Sequence, residues 1–376
     1  MSNPLKKFVI NLLWVRPGKV GGTEVFVRNL LDGFHGLKDE FEAWLFVSAD
    51  NAETFEKYSL EDKRFHLLKA PVRSDNITKR ILWQNFFMNG FLKKNGFSRC
   101  FSPVYDRPVL PGGISYIITM HDIQAYYYPQ YHPLHEVVYS KMCWQSDSRT
   151  SKGVVAISEF VANDISKVYP FKKDIIQVIY NPVCVNNDDV CYFEELEEKY
   201  SIKENEYYYT VGQLIPHKNI PTLLKVMGKI DGSGLPKKLL ISGINGNASR
   251  DILSEIRKNG LEEKVILTGY VSNKERNALY KNAKAFLFPS VFEGFGIPPV
   301  EAMMYGTPVI TTKMTCIPEV TQGKANYVDD PYDVDEWIRV MQKAENHSSE
   351  LDCSRYDLHK IAKSYLDYLR KVWDNG

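Results

Sequence analysis

Residues 289–310 read PSVFEGFGIPPVEAMMYGTPVI, in which Glu293 and Glu301 stand eight positions apart with Gly294-Phe295-Gly296-Ile297 and a Pro-Pro pair between them. Two carboxylates so spaced could be a glycosidase acid and base, metal ligands, or acceptors for the hydroxyl groups of a bound molecule. Glycoside hydrolysis needs a raised-pKa acid and a partner carboxylate at a defined separation across the bond to be cut, which one loop and the helix after it serve poorly. Gly294 and Gly296 let backbone approach a ligand closely. Pro298 and Pro299 suit the first helical positions, and Gly306 followed by Pro308 suits a helix end. The spacing thus predicts a short helix over 298–305 with Glu301 in its first turn. A carboxylate there gains ~0.3–1 kcal/mol from the helix dipole alone, but no cap calls for a glutamate at 293, and the two together point to a ligand site.

Three further groups stand where an apolar run gives way to a loop. Lys218, in GQLIPHKN, precedes a helical pattern; it suits a point charge on phosphate oxygens, and equally a solvated surface lysine. Gly21-Gly22 is too short for a dinucleotide fingerprint but permits close backbone approach. His121 and Asp122 close ITMHD, where a histidine can bond either a ligand hydroxyl or a backbone carbonyl. The only Asp-x-Asp, Asp333-Val334-Asp335, begins a helical pattern and reads as its cap, so no metal site and no cofactor are expected.

These residues need elements to position them, and the chain supplies strands alternating with helices. In the second half YYYTVGQL, KKLLISG, KVILTGYV, AFLFPS, PVITT and NYVD read as strands separated by helices, one of them opened by the capping box Ser272-x-x-Glu275. The first half repeats the pattern with FVINLLWV, EAWLFVSA, FHLLKAP, RCFSPV, YIITMHD and GVVAIS as strands and ITKRILWQNFFMNGFLKK as a long helix. Such alternation implies parallel sheets covered on both faces, whose ligands bind beyond the carboxyl ends of the strands. A length of 376 residues implies two domains, with NNDDVCYFEELEEKY as the linker and the boundary near 185. A net charge of +1 gives no pull toward nucleic acid. Six cysteines without C-x-x-C or zinc spacing favour free thiols in the cytoplasm. The N-terminal MSNPLKKFVINLLWVRPG lacks a small-residue cleavage site and reads as a buried strand rather than a signal peptide.

Taken together, Gly21-Gly22, TMHD, VVAISEFVANDI, IQVIYNPV, VGQLIPHKN, the block from LTGYVSNKE to EGFGIPPVEAMMYGTPVI, and the later IPEV resemble the family-four retaining glycosyltransferases. The resemblance implies the GT-B architecture: two Rossmann-like, doubly wound parallel-sheet domains facing a cleft. It implies an acceptor-binding domain over 1–185, a nucleotide-sugar domain over 186–352, and a C-terminal helix, 353–376, crossing back to the first domain. It also implies that Glu301 holds ribose hydroxyls, that Glu293 and the backbone of Gly294, Phe295, Gly296 and Ile297 hold the donor hexose, and that Lys218 holds the diphosphate. Gly22 would meet the phosphates, His121 the hexose near its reacting carbon, and the backbone of Val271 the base; Glu293, His121 and Lys218 would be the catalytic set. Where many members carry an arginine after the strand-ending glycine, this chain has Gln213, a donor-binding position that can give a hydrogen bond but no charge, so either the helix N-terminus and Lys218 suffice or another cation, Arg250 or His217, substitutes.

The implied reaction is a retaining, metal-independent hexosyl transfer from a nucleoside diphosphate sugar to a glycan or lipid-linked glycan. The wording is most like bacterial mannosyltransferases of surface polysaccharide synthesis, which makes GDP-mannose the first donor expected and UDP-hexoses the second. A non-catalytic sugar-nucleotide-binding scaffold is the contrasting reading. The helix 77–94 sets Lys79, Arg80, Lys93 and Lys94 beside Trp83, Phe86, Phe87 and Phe91, a pattern that fits either peripheral contact with the inner face of a membrane or a core helix with solvated ends. AYYYPQYHP fits either an acceptor groove or a packed loop.

Overall fold

The computed structural model of the chain describes residues 5–186, 188–243, 246 and 248–374. The first four residues of the N-terminal run, Asn187 of the acidic stretch and the last two residues of the chain lie outside the described residues. Two compact units divide it: Met1–Pro182 together with Ser354–Gly376, and Val183–Cys353.

The first unit is built on a seven-stranded parallel sheet of β1 (Leu5–Asn11), β2 (Phe41–Val47), β3 (Phe65–Lys69), β4 (Arg99–Ser102), β5 (Ser115–Met120), β6 (Gly153–Ala156) and β7 (Ile176–Val178), in the order β3-β2-β1-β4-β5-β6-β7. The first strand stops earlier than its apolar run. Asn11, fully buried, turns its side-chain amide to Ser102 Oγ (3.3 Å) and the Asp106 carbonyl (2.6 Å), and its Oδ1 accepts from Leu13 N. Asn51 Nδ2 then donates to the carbonyls of Leu12 and Val15. Leu12 N still donates to the Phe46 carbonyl of β2 (2.9 Å), but Leu13–Val15 are buried by a side-chain-braced turn and not by sheet pairing, which periodicity cannot distinguish.

The last helix, Leu358–Asp374, lies in this unit, and its packing shows why. An amphipathic stripe (Ile361, Ala362, Tyr365, Leu366, Leu369) joins the core that also holds Phe8, Phe26, Leu30 and Phe34. The helix crosses Gly22–Gly36 at Gly33, where a Cβ would stand 2.6 Å from the Leu358 carbonyl. Tyr368 Oη accepts from Val154 N (2.9 Å), Trp373 Nε1 donates to Ser115 Oγ (3.0 Å), and Arg370 pairs with Asp39 (2.7 Å). Helix Ile77–Lys94 begins and ends where the sequence placed it, whereas helices Leu134–Thr150 and Glu159–Val168 were not read as such because their patterns are interrupted by polar core residues such as Asp147 and Asp164.

The second unit carries six parallel strands, β8 (Tyr207–Val211), β9 (Lys238–Ser242), β10 (Val265–Gly269), β11 (Ala285–Phe288), β12 (Val309–Thr312) and β13 (Asn326–Val328), ordered β10-β9-β8-β11-β12-β13. The acidic stretch is not a free linker. It contains the helix Phe193–Tyr200, buries Leu196, and is tied to the helix Asn273–Lys281 by Asn277 Nδ2 to the Asp189 carbonyl (3.0 Å) and Lys199 to Glu275 (2.6 Å). Ser272 and Glu275 form the expected capping box, and Asp333 accepts from the backbone N–H groups of Asp335 and Glu336 as a helix cap. The order reverses between β8 and β11, so their carboxyl ends open a crevice where ligands of such sheets bind.

Candidate functional site

The loops leaving β8 and β11 are stitched to each other. The carbonyl of buried His217 accepts from Val291 N (2.9 Å) and Ser290 Oγ (3.2 Å). A short 3-10 turn, Pro216–Lys218, and Asn219 in the left-handed region (φ 51°) then lead into the helix Ile220–Lys229. This turn delivers Lys218 Nζ to Glu293 Oε1 at 2.5 Å, with the ammonium 5.4 Å from the centre of the Phe288 ring. A recess beside them is lined by Thr210, Gly212, Gln213, Lys218, Phe288 and Pro289 among others, and among the described residues Lys218 is the only charged one in its lining.

Glu293 is braced from a segment the sequence reading left out. Thr315, itself left-handed (φ 52°), accepts from Glu293 N through its hydroxyl (3.1 Å), and the buried Cys316 thiol is shared between the carbonyls of Glu293 and Phe295, both at 3.2 Å. Burial, reinforced by the Glu293 charge, pushes that thiol far above its ordinary range, so it stays protonated and keeps donating. Gly296 has φ 82°, and a Cβ there would lie 2.8 Å from Ile317 Cδ1. The loop is thus a rigid arch, fixed by β12's exit as well as by β11's.

Glu301 departs from its expected place. The helix runs Ile297–Met304, one residue earlier than predicted because Gly296 takes the cap, so Glu301 lies in the second turn and no acidic residue stands in the first. It is buried at 6% exposure. Its partners are Tyr280, whose hydroxyl donates to Oε2 (3.1 Å), and Arg276, whose guanidinium stands 3.7 Å from Oε1. Burial and the Glu301 charge hold the Tyr280 phenol well above its ordinary pKa, so it is a permanent donor. The capping-box helix places both residues four apart on one face; a search for cations at helical spacing after Ser272 would have found Arg276.

Of the remaining candidates, Gln213 is exposed and Val271 buried, with Tyr270 exposed beside it. His217 is sequestered, whereas Arg250 is exposed in the first turn of Ser249–Lys258, a helix tied to the Gln213 loop by Ala248 N to the Leu214 carbonyl (3.0 Å). In the first unit Gly22 begins the helix Gly22–Gly36, exposed, with Gly21 at φ 64° as its cap. The preceding loop is held by Glu24, which accepts from Gly18 N (2.8 Å) and pairs with Arg28 (2.8 Å). His121 Nε2 lies 2.8 Å from the Pro103 carbonyl, the backbone-carbonyl alternative of the two left open by the sequence. Since that oxygen can only accept, Nε2 carries the proton and Nδ1 is the free acceptor; burial lowers the ring's pKa to about 4, so it is neutral near pH 7.

The chain matches known proteins along most of its length. The family described as Glycosyltransferase Family 4 matches residues 20–187, and Glycosyl transferases group 1 matches 193–361. The O-antigen chain mannosyltransferase RfbU of Salmonella typhimurium is 34% identical over 258 residues, 69% of this chain and 68% of that one. The chain belongs to this glycosyltransferase family. O-antigen chain mannosyltransferase B of Escherichia coli is 30% identical over 226 residues, a match that spans 58% of that relative's length. Among solved structures, sucrose-phosphate synthase from Thermosynechococcus elongatus superposes with a TM-score of 0.74 at 14% identity, covering 99% of this chain and 100% of the other. Anabaena Alr3699/HepE in complex with UDP and glucose gives 0.69 at 15%, covering 98% and 100%. At such identities the likeness establishes the GT-B fold of this glycosyltransferase and nothing about its ligands.

Proposed function

We propose that this glycosyltransferase transfers a mannosyl group, with retention, from GDP-mannose to a growing surface glycan or its lipid-linked precursor. The observation that carries the reading is the meeting of Lys218, Glu293 and the arch 293–297 at the β8/β11 reversal. The names of the two O-antigen relatives support the sugar. In this reading Glu301, oriented by Tyr280 and Arg276, accepts the ribose hydroxyls, Glu293 and the arch backbone hold the hexose, and Lys218 holds the diphosphate. As the anomeric C–O bond breaks, its electron pair passes to a diphosphate oxygen, where Lys218 stabilises the growing charge. The acceptor oxygen bonds to the same face of the anomeric carbon and its proton passes to that phosphate oxygen, so no protein nucleophile and no metal take part. The first unit carries the acceptor.

The acceptor's setting is read from two neighbouring helices. Trp83 and Phe91, expected at an interface, pack against the core, and Arg80 is buried against Asp106, but Leu82, Phe86 and Phe87 are exposed at 53, 76 and 61%. Asn85 Nδ2 bonds Tyr139 Oη (3.0 Å), which brings alongside Leu134–Thr150 with its exposed Leu134, Val138 and Met142. Exposed Lys79, Lys93, Lys94 and Lys141 belong to the same helices, and helix Ile77–Lys94 has no acidic residue. This pattern supports peripheral contact with an anionic membrane face; no helix among the described residues is long and apolar enough to cross one. In the tyrosine-rich loop Tyr128 and Tyr131 stack on each other at 5.5 Å, which favours packing over an open sugar groove.

Incubation of the purified chain with GDP-mannose, with UDP-glucose as the comparison and EDTA present throughout, tests the reading. GDP release that depends on acceptor, with an α-linked product, is the expected outcome; release from the UDP sugar alone reassigns the donor, and tight binding without turnover overturns the catalytic reading.

A further inference from the structure

The ion pair between Lys218 and Glu293 bears on which ligands the second unit prefers. Its two ends are held in place independently of it. Lys218 rides on a turn fixed by the His217 carbonyl's bonds to Val291 and Ser290, and Glu293 on an arch fixed by Thr315 and Cys316. The side chains are 18 and 12% exposed and meet at 2.5 Å, so the pair can part and re-form without disturbing the loops that carry it.

Among the described residues Lys218 is the only charged one lining the recess, and Gln213 adds no charge. This cation is already paired with Glu293. A bare diphosphate that takes Lys218 leaves the Glu293 carboxylate without its partner, close to like charge and poorly hydrated, which is the costly way to break such a pair. A sugar attached to the diphosphate changes the outcome, because its hydroxyls donate to the carboxylate that Lys218 has released. We propose that Glu293 is a specificity-determining residue that makes the second unit favour an intact nucleoside diphosphate sugar over the bare nucleoside diphosphate. It does so by reclaiming Lys218 whenever no sugar hydroxyl occupies it. After transfer the hexose has gone, and the re-forming pair drives the diphosphate out. The inference rests on the donor-site reading above.

Isothermal titration of the full chain with GDP and with GDP-mannose, repeated with UDP and UDP-glucose, tests it in the wild type, Glu293→Gln and Lys218→Ala. Glu293→Gln keeps the side chain's shape and removes its charge, and is expected to tighten GDP about 5-fold while GDP-mannose is unchanged or weaker, as befits a partly exposed pair. The preference for the sugar nucleotide then collapses. Lys218→Ala is expected to weaken both. Unchanged GDP affinity in Glu293→Gln, with both ligands weakened by Lys218→Ala, overturns the exchange and leaves the donor site standing. If Lys218→Ala weakens neither ligand, the donor-site reading itself is wrong. Glu293→Asp, one methylene shorter and unable to reach Lys218 as closely, is the second variant if the first does not fold, and is expected to tighten GDP as well.

Discussion

The turn after β1 and the turn after β11 are both rich in glycine, yet they use it for different reasons. At Gly296 the backbone is left-handed (φ 82°), which by itself demands glycine, and a Cβ would also press on the Ile317 Cδ1 methyl at 2.8 Å. At Gly22 the backbone needs no positive φ, and a Cβ would meet no atom within 4 Å. There the described residues leave open space where a side chain would stand. The turn after β11 is a rigid arch and the turn after β1 an open one, and the same residue type in a sequence does not tell them apart.

The comparison can be broken most severely at the arch's own charge. Glu293→Ala should slow transfer by roughly 100-fold or more, the scale of losing one preorganised polar contact at the reacting centre, while Glu301→Ala should chiefly raise the KM for the donor; equal losses of kcat and KM in both variants would show that the two carboxylates do not divide the work. Next comes Gly296→Ala, which forces a side chain into a left-handed, enclosed position and should lower stability by about 1–3 kcal/mol, read as a fall in Tm. An unaltered Tm there would mean the arch is not rigid.

Cys316 sharpens the point at smaller scale. Cys316→Ser retains a donor to the Glu293 and Phe295 carbonyls and should keep most activity, whereas Cys316→Ala leaves both carbonyls short of a partner at a cost of ~1–3 kcal/mol and should reduce kcat more than it raises KM; equal behaviour of the two variants would remove the bracing role. Gly22→Ala should leave Tm unchanged or slightly higher, alanine being the better helix former by ~1 kcal/mol at most, yet reduce turnover if a phosphate lies against that backbone. A further effect is electrostatic and confined to acid pH. His121 has a folded pKa of about 4 against an ordinary 6.5, so the unfolded chain binds the extra proton and stability falls as pH drops from 6.5 toward 4. His121→Gln should flatten that part of the Tm–pH curve, and a curve as steep as the wild type's would assign the acid sensitivity elsewhere.

Much of the fold is legible in the sequence. Apolar runs of strand length alternating with helical patterns gave both parallel sheets, and Ser272-x-x-Glu275 and Asp333 gave two helix starts, because these signals are local and each residue's partner lies within one turn. What was not legible depended on distant partners. Asn11 ends β1 through Ser102 and Asp106; Leu196 pulls the acidic stretch into the second unit; Arg276 and Tyr280 reach Glu301 from another helix; Thr315 and Cys316 hold Glu293 from across β12.

The chain's letters by themselves determined which residues carry charge, Glu293, Glu301 and Lys218 among them, and that each would stand in the loop or helix after a strand. That much follows from side-chain chemistry and from periodicity. Tertiary structure alone decided what each of them faces: that Lys218 neutralises Glu293, that Glu301 is buried between a phenol and a guanidinium instead of resting on a helix dipole, and that His121 spends one nitrogen on a carbonyl. The reason is physical. Ion pairing, burial and hydrogen-bond saturation are properties of atoms a few ångströms apart, and only the folded chain brings residues 75 or 22 positions distant to that range.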